Sequence, residues 1–225
     1  MSKRRVGPPA TLPVQRSERR PSPMREILGR TLGIHLDGPS YLADFNERFW
    51  RIDHEGFWKL ERLQNYQEPG FASWEAFRSG DWDGALRLID ELRPEFERHL
   101  TRIREAGFGH HRVRVVEEPI TPYVQWELHV LQAKDQCGED VAVVTGDQIR
   151  AFEESGLQPD LVVLGSDAAY DVHYTRDGTP AGATLFTAPA AVEGARAFIR
   201  QLHQSGEKLE TYFPRRVAGL DAPRM

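Results

Sequence analysis

A chain of 225 residues, 40% hydrophobic, 28% charged and 10% aromatic, has enough apolar material for one substantial core and reads as a soluble globular protein. Its longest apolar runs, VAVV at 141–144 and LVVL at 161–164, fall far short of the ~18 residues that a membrane-spanning helix needs. The net charge of −5 hides an asymmetry: residues 1–36 hold eight Lys/Arg against Glu18 and Glu26, a balance of +6, which leaves −11 for residues 37–225. So acidic a body is a poor nucleic-acid binder, because Lys and Arg against phosphate supply most non-specific affinity. Nucleic acid is expected to be held by the basic tail or not at all.

The first 36 residues carry five prolines and few large apolar side chains, so they are expected to form a disordered basic tail. Within them MREILGRTLG, 24–33, is a short helix candidate, and a translation start at Met24 would drop most of the positive charge. The opening is basic like a signal peptide but lacks the apolar stretch behind it, which argues against secretion by that route. With a single cysteine, Cys137, the chain fits a reducing compartment, and a cytoplasmic protein is expected.

From Tyr41 the chain turns apolar. YLADFNERFW places Leu42, Phe45 and Phe49 at helical spacing; Trp58, Leu60 and Leu63 follow, and NYQEPG closes the segment with Pro-Gly turn chemistry. Ser73 is placed to cap a short helix in WEAFRSG, ended by Gly80. Residues 81–109 carry the strongest helical signal, with Leu88, Leu92, Phe96, Leu100 and Ile103 on one face, Asp81 as cap and Gly107 as stop. Pro94 threatens to kink or split this helix.

After Gly109 the period changes to two. RVRVV, DVAVV, DLVVL, AYDVHYT and GATLFT read as strands, the last two joined by a hairpin at Asp177-Gly178. Helices are expected from Pro122 to Lys134, Asp147 to Ser155 and Pro189 to Gln204. Helices followed by a mixed sheet of about five strands and a closing helix predict an α+β fold. The single domain is expected over 41–213, with a flexible C-terminal tail over 214–225.

The strings KLERLQNYQEPG, SWEAFRSGDWDGAL, RVRVVEEPITPYVQWEL, CGEDVAVV and DAAYDVHYTRDGTPAGATLFT resemble the actinobacterial family named domain of unknown function 6879, over roughly residues 41–213. The resemblance implies a compact cytoplasmic domain and names no substrate. Members are often encoded near helix-turn-helix regulators, so it also implies a regulatory partner of that kind.

The richest candidate for chemistry is 112–128. Arg112 and Arg114 share one face of a strand, with Val113 and Val115 on the other, which would leave the arginines in solvent or in a groove if the valines face the core. Glu117 follows the strand, and Tyr123, Trp126 and Glu127 gather on the first turns of the next helix. A guanidinium can bind an anion bidentately, a ring can stack on a ligand, and Glu127 or His173 can act as a base. The same residues equally suit an Arg–Glu pair locking helix to strand over a packed core.

The eight histidines show no HExxH or CxxC-type spacing, so no metal and no cofactor is expected. His110 and His111 should point to opposite faces. Neither a GxSxG elbow nor a phosphate-binding glycine loop occurs, and the acidic neighbours of Cys137 disfavour a thiolate. Two functional readings follow. One is a non-catalytic regulatory or protein-interaction module, supported by aromatic stretches that look exposed, FWRIDHEGFW and SWEAFRSGDW. The other is an enzyme or sensor that binds a small anionic or nucleotide-like ligand at 112–128.

Overall fold

The computed structural model describes residues 24–154 and 156–224. The segment 1–23, with the disorder and nucleic-acid attachment expected of it, lies outside the described residues. In chain order the elements are α1 (Met24–Gly29), β1 (Ile34–Asp37), α2 (Gly38–Phe49), β2 (Phe57–Glu61), α3 (Ala72–Arg78), α4 (Trp82–Glu105), β3 (His110–Val116), α5 (Pro122–Gln136) and β4 (Asp140–Thr145). There follow α6 (Gly146–Ile149) with a 3₁₀ turn at Arg150–Phe152, β5 (Asp160–Leu164), β6 (Ala168–Tyr174), β7 (Pro180–Phe186), α7 (Pro189–Ser205), β8 (Glu207–Lys208) and α8 (Leu209–Arg216).

The class is α+β, but the sheet has eight strands where five were expected, in the order β1-β7-β6-β5-β2-β3-β4-β8. β2, β3 and β4 run parallel and the other pairs antiparallel. The three additional strands escaped for different reasons. β2 follows Gly56, whose φ of +83° turns the chain out of the helical region. Its FWKLE then alternates, with Trp58 and Leu60 on one face and Phe57 on the other. β1 falls inside the stretch assigned to the tail, and β8 has only two residues, too few for a visible pattern. Short strands at both borders limit the open edges that a sheet offers for aggregation.

Helices cover both faces. On one, α7 lies across β2 to β6 and α1 packs on α7, gathering Leu60, Val113, Val115, Leu161 and Ile199 into a core. On the other, α2 and the end of α4 meet Phe57, Val162, Leu164 and Tyr170, while α3, α5 and α8 cover Val116, Val141 and Val143. Met24 and Leu28 are buried, so residues 24–36 belong to the folded body. The C-terminal stretch also packs: Val217 is buried and the Asp221 carbonyl accepts from Gln125, 2.8 Å.

Several local expectations change in the structure. α4 is one unbroken helix of 24 residues; Pro94 and Asp90 are exposed, so the carbonyl that proline deprives of its partner is left to water. Ser73 is not a cap: Phe71 precedes the helix, and the Ser73 hydroxyl is buried, donating to the Ala85 carbonyl at 2.8 Å. Leu42 is exposed, and Tyr41 joins Phe45 and Phe49 against the core instead. The helix expected over 147–155 is reduced to α6 and its 3₁₀ turn. The aromatic stretches are largely interior, with Phe49, Phe57, Trp58, Trp74 and Phe77 buried; Trp50 remains 37% exposed, with the Arg102 guanidinium 3.7 Å from its ring.

Candidate functional site

Strand alternation places Arg112 and Arg114 opposite the valines, as expected, but both faces of β3 are covered. Arg112 is 7% exposed and Arg114 not at all, because α4 and α5 close over that side of the sheet. Arg112 lies between Glu139, at 2.5 Å, and Glu61 on β2, at 2.7 Å, and Lys59 adds a 2.6 Å contact to Glu61. Arg114 Nε donates to Glu127 Oε2 at 2.6 Å, its Nη1 to the carbonyls of Glu61 and Val115, and its charge sits 5.6 Å from the Tyr66 ring. Among the described residues, Arg114 Nη2 and Glu61 Oε2 have no hydrogen-bond partner.

Burial opposes charge on both arginines, yet the facing carboxylates win and hold them above the usual guanidinium range. Burial pushes the Glu127 carboxyl up to about 7 against the pull of Arg114. Burial also opposes the Glu61 charge, but Arg112, Lys59 and Arg114 together bring this carboxyl well below the ordinary range. The result is an ion-paired layer that ties β2, β3, α5 and the turn before β4 together. Trp126 belongs to the core beside it, stacked on Phe77 and donating from Nε1 to Ser73 Oγ, 3.0 Å. Glu117 accepts from Arg62 at 2.6 Å, and Arg62 also holds Glu153.

Next to this layer, at the carboxyl ends of β2 and β3, a groove of about 1440 Å³ opens. The carboxyl ends of parallel strands are where open α/β sheets commonly place ligands; here β2 has parallel β3 on one side and antiparallel β5 on the other. Tyr66, Tyr123 and Tyr174 line it, with Tyr66 ring centroids 5.5 Å from Tyr123 and 4.9 Å from Tyr174. Tyr66 donates to Asp160 Oδ2 at 2.6 Å, and the Arg62 N–H to Asp160 Oδ1 at 2.5 Å. Burial raises the Asp160 carboxyl despite both bonds. Gln158 is buried at the groove wall; its Nε2 donates to the Phe152 carbonyl, and its Oε1 has no partner among the described residues.

The hairpin between β6 and β7 closes one side. Gly178 has a φ of +88°, and a Cβ there would lie 2.8 Å from the Asn65 carbonyl, so glycine allows the turn to sit directly on the chain that carries Tyr66. Exposed Arg25, Arg78, Arg176 and Arg224 stand around the groove. The amino end of α5, capped by Thr121, also lines it and adds the positive end of the helix dipole.

The chain matches the family model described as Domain of unknown function (DUF6879) over residues 43–214. It belongs to that family. No curated protein and no solved structure matches. Within the DUF6879 region lie the three tyrosines, Asp160, Gln158, Arg78 and Arg176, whereas Arg25 and Arg224 come from outside it.

Of the residues singled out in the sequence, Tyr123 and His173 line the groove. Tyr123 donates to Glu68, 3.0 Å. His173 sits on the wall formed by β6, with Nε2 3.1 Å from Thr184 Oγ1 and its ring stacked on His35. Arg114 and Glu127 meet each other beneath the groove, while Arg112, Glu117 and Trp126 are engaged elsewhere. Tyr66, Asp160, Gln158 and Tyr174 were missed. They come from loops and strand ends with no motif around them, and only the pairing of β2 with β5 and β6 with β7 assembles them.

Proposed function

We propose that this DUF6879 protein is a non-catalytic regulatory module that senses a small anionic ligand with a planar, nucleotide-like group. The observation that carries the reading is the groove itself, in which half-buried Tyr174 lies over the buried Tyr66 and Tyr123 and four exposed arginines stand around it. Aromatic faces take a planar ring, and guanidinium groups take phosphate or carboxylate bidentately. The volume exceeds the several hundred Å³ typical of small-molecule pockets and accommodates a nucleotide-sized molecule.

A binding role fits better than turnover, because three of the nearby carboxylates already have hydrogen-bond partners, and Asp171, which also lines the groove, is drawn by charge to His173 and Arg25. Asp160 is held by Tyr66 and the Arg62 amide, Glu127 by Arg114, and Glu68 by Tyr123. A sensing role is supported by the rim, where Arg25, donating to the Leu157 carbonyl, and Arg224 bring segments far apart in the chain to the same opening. A bound anion would fasten both.

The experiment is a thermal-shift and calorimetric screen of nucleotides, amino acids and sugar phosphates against the wild type, Tyr174→Ala and Arg176→Ala. A ligand at a hundred times its Kd should stabilise the wild type by about 2.7 kcal/mol, with the shift lost in both variants. If no compound of these classes shifts the melting temperature, or if the variants respond as the wild type does, the reading is wrong.

A further inference from the structure

At the opposite end of the parallel strands, three elements bring together side chains that the sequence keeps far apart. Trp58 on β2 pairs with His111 on β3, and His111 with Asp140 on β4, so the three stand in a row across the sheet. Direct cross-strand neighbours share a face, and here it is the face under α7. The last turns of α7 then lower His203 onto the row. His111 Nδ1 lies 3.0 Å from Asp140 Oδ2, and His203 Nε2 lies 3.3 Å from Asp140 Oδ1. The three ligand atoms fall within 4.8 Å of one another.

The rings are held in place. Trp58 stacks on His111 with centroids 4.0 Å apart and meets His203 edge-on at 5.6 Å. Gly109 leaves room for the His111 ring, since a Cβ there would stand 2.4 Å from Nε2. His203 is buried, while His111 and Asp140 are partly open to solvent. A fourth group completes the set: the Lys208 ammonium, on the edge strand β8, pairs with Asp140.

We propose that His111, Asp140 and His203 form a binding site for a divalent transition metal, with Zn²⁺ as the best-suited ion, and that Lys208 is the cation occupying the carboxylate when the metal is absent. Two imidazole nitrogens and one carboxylate oxygen are the donor set that Zn²⁺ accepts, at roughly 2.0–2.2 Å from each ligand. A tetrahedron of that size separates its ligands by about 3.3 Å, so the three atoms, which lie within 4.8 Å of one another with the two histidines on different Asp140 oxygens, would draw together on binding. Both imidazoles bind as neutral rings, through His111 Nδ1 and His203 Nε2. The half-exposed Lys208 side chain can swing outward and leave the fourth position to water. Bound there, the ion would tie β3, β4 and the end of α7 together. It lies at the opposite strand ends from the tyrosine groove, so the site stands whether or not the groove binds a ligand.

The test uses the full chain, free of any polyhistidine tag and stripped with a chelator, titrated calorimetrically with Zn²⁺ and spectroscopically with Co²⁺. One equivalent should bind, with visible d–d absorption for Co²⁺ and a rise in melting temperature with Zn²⁺. His203→Gln and His111→Gln should each weaken binding by at least about tenfold. Lys208→Met keeps every ligand, removes the competing cation and changes only an edge side chain, so it should fold and bind the metal more tightly. The proposal is overturned if neither the wild type nor Lys208→Met binds one equivalent with a Kd below about 1 mM, or if folded His203→Gln binds as the wild type does.

Discussion

Two polar regions lie side by side under and beyond α5, and they handle charge in opposite ways. In the layer beneath α5, five charged groups from the strands, the helix and the turn before β4 pair with one another at 2.5 to 2.7 Å with water excluded. In the groove, carboxyl and phenol groups are hydrogen-bonded at the floor, while the arginines above them remain exposed. The first arrangement largely satisfies itself, leaving Arg114 Nη2 and Glu61 Oε2, both buried, as its atoms without a hydrogen-bond partner among the described residues. The second keeps its positive charge where an incoming anion can reach it. Arginine in a strand is therefore a poor guide to function: depth in the fold decides whether it locks or recruits.

The largest expected effect comes from breaking the layer. Arg114→Ala leaves Glu127 facing an emptied, dry site and should cost about 3–5 kcal/mol, measured from the urea midpoint at constant slope. Replacing both partners, Arg114→Leu with Glu127→Leu, should recover much of that loss, because an apolar pair carries no unpaired charge. A loss below about 1 kcal/mol in the single variant would mean that the pair behaves as an exposed one does, and the contrast with the groove would collapse.

The same layer sets a pH dependence. Burial moves the Glu127 carboxyl from an ordinary 4.5 up to about 7, so between those values the folded protein binds a proton that the unfolded chain has released. The stability from this group is complete below about 4.5 and is lost as pH rises through about 7, a change of up to about 3 kcal/mol. Glu127→Gln should flatten that part of the curve. Paired melts of the two proteins from pH 4.5 to 8 give the answer; parallel curves would place Glu127 among ordinary, fully ionised carboxylates.

What the sequence made legible follows from range. Period-two patterns exposed β3 to β7, and Asp177-Gly178 marked the hairpin, because each signal is contained within a few residues. Arg114 and Glu127 were recognisable as partners, being thirteen residues apart on adjoining elements. Their burial was not, since it depends on α4, which is read as an amphipathic helix without any sign of what it covers. Glu61, Glu139 and Lys59 could be matched to Arg112 only after β2 was placed beside β3, and β2 itself was hidden by a helical-looking neighbourhood ahead of Gly56. The groove residues were less visible still: Tyr66 is 94 residues from Asp160 and neither sits in a recognisable motif. The resemblance to the family was correct and carried no information about the site.

The groove floor offers a finer comparison, between two tyrosine hydroxyls that differ in surroundings. Tyr66→Phe deprives the buried Asp160 Oδ2 of its donor and should cost about 1–3 kcal/mol, the penalty for stranding a buried acceptor. Tyr123→Phe strands only Glu68, which is half-buried and can take water instead, so about 0.5–1.5 kcal/mol is expected. Thermal melts at matched pH would rank them. An equal loss in both would mean that the Tyr66 end of the groove is as wet as its mouth, and the lining could then discriminate a ligand only through the arginines. Arg176→Ala provides the baseline. Its side chain is exposed, so the change should lie within about 0.5 kcal/mol of zero, and any larger shift would mean that Arg176 supports the hairpin and is not free to meet an anion.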